Sequence, residues 1–199
     1  MTPITSISQL DPTAQYTYAD YLLWQFSERV ELIKGYFLQM AAPNRKHQRI
    51  SARVQFALTK YFYKSTCQVY DAPFDVRFYD KQKSLKADKD IYTVVQPDLC
   101  VICDPTKLDE RGCLGAPDWI IEILSPGNSK KEMRQKYALY EEQGVKEYWI
   151  IHPNEQTLLQ FVLDEQGKYQ LHKMFAEDEL VPSYLFPDLI VDLKEAFED

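Results

Sequence analysis

The chain has 199 residues, 45% hydrophobic and 27% charged, which is enough apolar material for one sizeable core without staples, and its net charge is −7. That balance excludes a globally basic nucleic-acid binder and confines any phosphate contact to a local site, where a bound metal is often the largest charge. No run reaches the roughly 18 apolar residues that span a bilayer, and Met1 to Gln15 has neither a cationic start nor an apolar signal core, so the expectation is a cytoplasmic protein with no membrane partner.

Residues 1–15 read as a poorly structured segment, and no repeat, low-complexity tract or Gly/Ser linker divides residues 1–199, so one domain is expected. Tyr18 to Phe26 reads as a short helix. Arg29 to Met40 reads as a hairpin turning at Lys34-Gly35, a dipeptide able to take positive φ. Pro43 and Asn44 introduce a helix over Arg45 to Tyr63, with Ile50, Val54, Ala57, Leu58 and Tyr61 as its apolar stripe. Strands follow around Gln68 to Tyr70 and Phe74 to Tyr79. Asp80 to Asp90 carries Lys81, Lys83, Lys86 and Lys89 without apolar period and reads as a solvated loop.

Pro97 to Ile102 and Trp119 to Leu124 are nearly continuous apolar runs, as in strands covered on both faces. Ser129 opens a helix with Glu132 in a capping box, and Gly144 stands where a left-handed residue ends it. Tyr148 to Ile151, Leu158 to Leu163 and Tyr169 to Lys173 read as strands, the last two joined as a hairpin, and Ala196-Phe197 closes a short helix. The strand-helix-strand unit from Trp119 to Ile151 makes the class α/β. The four cysteines, Cys67, Cys100, Cys103 and Cys113, are too few and too irregular for a disulfide scaffold, and the expectation is reduced thiols.

Each central strand carries one acid, Asp98 or Glu122, and a carboxylate in an apolar strand is costly unless paired, hydrogen-bonded or metal-bound. A strand-end surface charge is the plainer account of either acid alone. By alternation Glu122 shares a face with Ile120 and Leu124, and Asp98 with Cys100 and Ile102, so neighbouring strands would aim both at one spot. Two carboxylates without a histidine cage suit Mg²⁺, with Mn²⁺ as the alternative. Lys136, on the helix after Glu122, borders the stripe of Met133, Tyr137 and Tyr140, from which its ammonium could reach the acids; most helix lysines simply extend to water. Tyr140 could bond a phosphate or a metal-bound water, though an aromatic on this stripe is more often core, and His47 is more often a capped or hydrogen-bonded structural histidine than a catalytic base.

Asp98-x(23)-Glu122-x-Leu124 with Pro97 resembles the PD-(D/E)XK nuclease signature. With Arg29-Val-Glu-Leu-Ile-Lys-Gly35, Met40, Pro43, His47, Gln96-Pro-Asp-Leu99, Glu122-Ile-Leu-Ser-Pro126, Lys136-x-x-x-Tyr140 and Gly144-Val-Lys-Glu-Tyr-Trp149, the chain resembles the Uma-two family of bacterial restriction-endonuclease-like proteins from Tyr18 to about Asp192. The resemblance implies a restriction-endonuclease-like core, a mixed sheet flanked by helices with additional hairpins. It also implies Asp98, Glu122, Glu31 and the backbone carbonyl of Ile123 as metal ligands, and a homodimer. Leu124 stands where the signature has lysine, and the relatives place that lysine where this chain has Lys136.

The resulting expectation is a Mg²⁺-dependent endodeoxyribonuclease, with Asp98, Glu122 and Lys136 catalytic, and His47, Tyr140, Lys81, Lys83 and Lys86 near a DNA partner. The alternative is a catalytically silent nuclease-like fold serving as a homodimeric protein-interaction or nucleic-acid-binding module. Cys100-x-x-Cys103 in a strand would face both ways and so would not bind zinc, and no nucleotide-loop or esterase motif calls for an organic cofactor.

Overall fold

The two apolar runs lie side by side. In the computed structural model, which describes residues 3–79, 86–125 and 130–198, they form β6 (Leu99–Ile102) and β9 (Trp119–Ile123), antiparallel neighbours at the middle of a six-stranded sheet. Ahead of them come α1 (Tyr18–Tyr21), β1 (Val30–Ile33), β2 (Tyr36–Gln39), α2 (Arg45–Phe62), β3 (Gln68–Asp71), β4 (Val76–Phe78) and β5 (Thr93–Val95). Between them lie β7 (Leu108–Asp109) and β8 (Gly112–Leu114). After them come α3 (Lys130–Gln143), β10 (Glu147–His152), β11 (Thr157–Leu163), β12 (Tyr169–Phe175), β13 (Leu180–Pro182), β14 (Ile190–Asp192) and α4 (Leu193–Phe197).

The central sheet has the order β12-β11-β10-β9-β6-β3, antiparallel except for β9 and β10, the parallel pair joined through α3. Both faces of β9 are buried, and its residues divide between two cores. Trp119, Ile121 and Ile123 pack with Ile50, Val54, Leu58 and Phe62 of α2 and with the C-terminal elements. Ile120 and Leu124 pack on the opposite side with Leu139 and Tyr140 of α3. Glu122 therefore points to the α3 side by strand alternation.

The sequence suggested one sheet with added hairpins, and the structure has a second six-stranded sheet, ordered β2-β1-β5-β4-β8-β7. Ile33, Val76, Phe78 and Val95 of this sheet enter the α3-side core, so α3 and the second sheet together cover that face. The β1–β2 hairpin is its edge, turning at Lys34 (φ 53°) and Gly35 (φ 88°) as the dipeptide suggested. β5, β7 and β8 are two or three residues long, too short for any period to reveal.

Several local expectations need correction. α1 is a single turn with a Thr17/Asp20 capping box rather than a helix to Phe26, because Trp24 leaves it to bridge Ile4. That bridge, a 3-10 turn at Ile7–Gln9 and the buried Leu10 give structure to a segment read as poorly structured. α2 starts at the expected cap, Asn44 accepting from the His47 amide, but Phe62 rather than Tyr61 completes its buried stripe. Cys67 and Cys103 form a disulfide across the ends of β3 and β6, contrary to the expected thiols, while Cys100 and Cys113 are free and buried. Gly144 (φ 78°) follows α3 as expected; the Ser129 cap lies outside the described residues.

Candidate active site

Continuing the β6–β9 register by one residue sets Asp98 opposite Glu122. Ile123 N–H donates to Asp98 Oδ2 at 2.7 Å, and His47 Nε2, delivered by the first turn of α2, stands 3.1 Å from the same oxygen. Glu31 reaches the acids from β1 in the second sheet. It is only 1% exposed, although a hairpin acid is ordinarily solvated. The Gln96 amide N–H, next to β5, donates to its Oε1 at 2.8 Å, and its Oε2 is buried with no hydrogen-bond partner among the described residues.

Lys136 connects these acids. Its Nζ lies 2.9 Å from Glu122 Oε1 and 3.0 Å from Glu31 Oε1, and Tyr140 Oη, one turn further along α3, donates to Glu122 Oε1 at 2.6 Å. Burial pushes the Glu122 carboxyl up to about 7; Asp98 and Glu31 push the same way, while Lys136 and the Tyr140 bond oppose them. Burial works against the charge of Lys136, but Glu122 and Glu31 outweigh it and raise its pKa. Burial likewise opposes charge on His47, yet its bond to Asp98, with the Asp98 and Glu122 charges, raises its pKa above 6.5.

Glu31, His47, Asp98, Glu122, Ile123 and Lys136 all line one cavity of about 50 Å³, with Arg29, Ser125, Glu132 and Met133 at its walls. That volume admits only a small ion with a few waters, or the edge of a larger ligand. Tyr140 is fully buried behind Glu122 and does not line it, so a substrate contact by Tyr140 does not fit the structure. Lys86 lies elsewhere, its ammonium 4.9 Å from the Tyr79 ring centroid, and lines a different cavity. Lys81 and Lys83 lie outside the described residues.

The donors fit a hard divalent cation. Every acceptor is oxygen, and among the described residues the hydrogen bonds to Asp98 fall on Oδ2, those to Glu122 fall on Oε1 and a buried Glu31 oxygen lacks a partner. Among the described residues no three His, Cys, Asp or Glu groups stand at metal-ligand spacing. Magnesium, which commonly uses one or two carboxylates, does not require three.

The sequence reading gave no site role to Arg29 or Gln96. Arg29 stands two residues before Glu31, a spacing that puts both on one face of an extended chain, and that signal was available. No helix among the described residues is long and apolar enough to cross a membrane.

Comparison with known proteins gives a family and a fold. Residues 18–194 match the Uma2 family, described as "Putative restriction endonuclease". A Synechocystis protein, "Uncharacterized protein slr1290", is 21% identical over 164 residues, 81% of each chain. A crystal structure from Anabaena variabilis, described as "a putative nuclease belonging to DUF820", superposes with a TM-score of 0.69 at 24% identity, covering 91% of this chain and 97% of that one. At that identity the likeness establishes the fold.

Proposed function

The chain belongs to the Uma2 family, and from that premise we propose that it is a divalent-metal-dependent endonuclease hydrolysing DNA phosphodiester bonds. The observation that carries this reading is the convergence of Glu31, Asp98 and Glu122, from three different strand segments, on one small cavity with Lys136 among them. Asp98 and Glu122 would hold Mg²⁺ or Mn²⁺, with Glu31 and the Ile123 carbonyl as further oxygens. Bound there, the cation supplies Lewis-acid polarisation of the phosphate and lowers the pKa of a coordinated water.

The chain's own residues do the positioning. His47 and the Ile123 amide hold Asp98 through one oxygen and leave the other for a ligand. Lys136 keeps its charge at neutral pH, limits repulsion among the three acids and opposes the negative charge that builds on phosphorus. Tyr140 fixes the Glu122 carboxylate from behind. Leu124, in the place of the signature lysine, packs in the α3-side core, and the lysine of α3 reaches Glu122 instead.

A second reading has its own support. Lys136 already pairs two of the acids, so the cluster is partly charge-compensated without metal, as a silent interaction or nucleic-acid-binding module would require. Labelled single- and double-stranded DNA and RNA, incubated with Mg²⁺ or Mn²⁺ beside Asp98→Ala and Glu122→Ala, separate the two. The enzyme reading requires metal-dependent cleavage of DNA that both substitutions abolish. Identical behaviour of wild type and variants on every substrate sinks it, and calorimetry showing no metal binding by wild type would leave the silent fold.

A further inference from the structure

A phosphodiester approaching this cavity meets three carboxylates, and of the cations that line it His47 is bonded to Asp98 while Lys136 is shared between Glu31 and Glu122. Arg29 is different. It lines the same cavity, is half-buried, and makes no ion pair among the described residues. Its Nε and Nη2 donate to one neutral acceptor, Gln96 Oε1, at 3.2 and 3.1 Å. A guanidinium carries five N–H groups and cannot lose its charge in a protein, so hydrogen-bonding capacity and a full positive charge remain unspent at the cavity wall.

The orientation of Gln96 is fixed independently of Arg29. Its Nε2 lies 2.9 Å from Asp75 Oδ1 and 3.3 Å from Tyr21 Oη, and its backbone N–H donates to Glu31. A carboxylate only accepts, so Asp75 holds the amide nitrogen on its own side and turns the amide oxygen to Arg29. Asp75 is in turn bonded by Tyr18 Oη at 3.1 Å. The guanidinium is thus held by a neutral group that leaves its charge uncompensated, whereas a glutamate at 96 would neutralise it.

We propose that Arg29, positioned by Gln96, is the phosphate-binding residue of this site and grips a non-bridging oxygen of the nucleic-acid backbone beside the acid cluster. This rests on the nuclease reading for the identity of the ligand, but not on catalysis. Lys136 then serves the carboxylates and the charge that builds during reaction, and Arg29 holds the phosphate in the bound state. The assignment also moves the backbone contact away from the Lys81–Lys89 segment, whose Lys86 lines another cavity.

The test is binding of a fluorescein-labelled 12-base-pair DNA duplex to the full chain in EDTA, by anisotropy across a salt series, with cleavage in Mg²⁺ scored separately. Arg29→Gln is expected to weaken binding about tenfold, the worth of a charge-assisted bond, and to lower the log–log salt slope by about 0.9, one phosphate contact. Arg29→Lys should restore the slope and part of the affinity. Gln96→Met should weaken binding about threefold with the slope kept, because the charge persists while its orientation is lost; a merely structural effect would not split the two. Calorimetric Mg²⁺ affinity should be unchanged in Arg29→Gln, which also reports an intact site.

Wild-type affinity and slope in Arg29→Gln overturn the proposal, as does a wild type that binds no duplex. Arg29-dependent binding without cleavage supports it and overturns the nuclease reading alone. Cleavage with Arg29-independent binding does the reverse.

Discussion

Lys136 Nζ stands 2.9 Å from Glu122 Oε1, although the two belong to different elements and 14 residues separate them. Both are largely buried, the lysine side chain 12% exposed and the glutamate 10%. The glutamate is buried as a charge only because the lysine faces it, while the lysine has a second partner in Glu31. Lys136→Met should therefore destabilise the protein by about 3–5 kcal/mol at pH 8, and by clearly less at pH 5, where Glu122 takes up a proton. Urea unfolding at the two pH values checks this; equal losses would show that the pair is not electrostatically coupled.

Glu122 makes stability fall with rising pH. Burial raises its folded-state pKa to about 7 from 4.5, so the folded protein binds more protons than the unfolded chain between those values. The stabilising contribution is full below about pH 4.5 and lost as pH passes 7, which for the metal-free protein amounts to roughly 3 kcal/mol. Relative to Glu122→Gln, wild-type stability should decline across that window, and parallel curves would refute the raised pKa.

Mg²⁺ should oppose that decline. At 100 times its dissociation constant, a cation bound only by the folded state adds about 2.7 kcal/mol of stability. Chelation should remove the gain. Asp98→Asn should lose at least tenfold in metal affinity by calorimetry and keep at most about 1.4 kcal/mol of the gain at the same Mg²⁺ concentration, since its remaining oxygen still accepts from Ile123 and His47 but carries no charge.

A different buried acid should affect folding alone. Glu147 is fully buried and accepts five hydrogen bonds, from Trp149 Nε1, Gln160 Nε2, Ser183 Oγ and the Tyr184 and Leu185 amides. Glu147→Gln turns an NH₂ group towards some of these donors and should cost about 3 kcal/mol, read from the urea midpoint. Mg²⁺ affinity of the folded fraction should be unchanged, because Glu147 does not line the acid cavity.

The sequence was legible where one element carries its own signal. β6 and β9 appeared as apolar runs, their acids as charges out of place, and α2 as a stripe behind an asparagine cap. Lys136 was within reach because helical spacing fixes its side of α3. What depends on distant pairing was not legible. Cys67 and Cys103 meet only because β3 and β6 pair in a particular register, 36 residues apart. The depth of Glu31 follows from the place of β1 inside the second sheet, between β2 and β5 and built partly with strands of two or three residues, which the hairpin in isolation does not reveal. The role of Glu147 depends on a C-terminal segment whose amides are delivered from more than 35 residues away.

The two-sided burial of β9 also limits how this site can change over generations of sequence drift. Its residues alternate between separate cores, and only the phase of that alternation brings Glu122 to the acid cluster. Replacement of one apolar residue by another leaves the phase intact. A single-codon insertion or deletion upstream of Glu122 within β9 would exchange the two sets, carrying the carboxylate into the α2-side core and an isoleucine into the cavity. The strand should accept spelling changes but no change of length, and length variation among functional descendants should fall in the connections on either side of it.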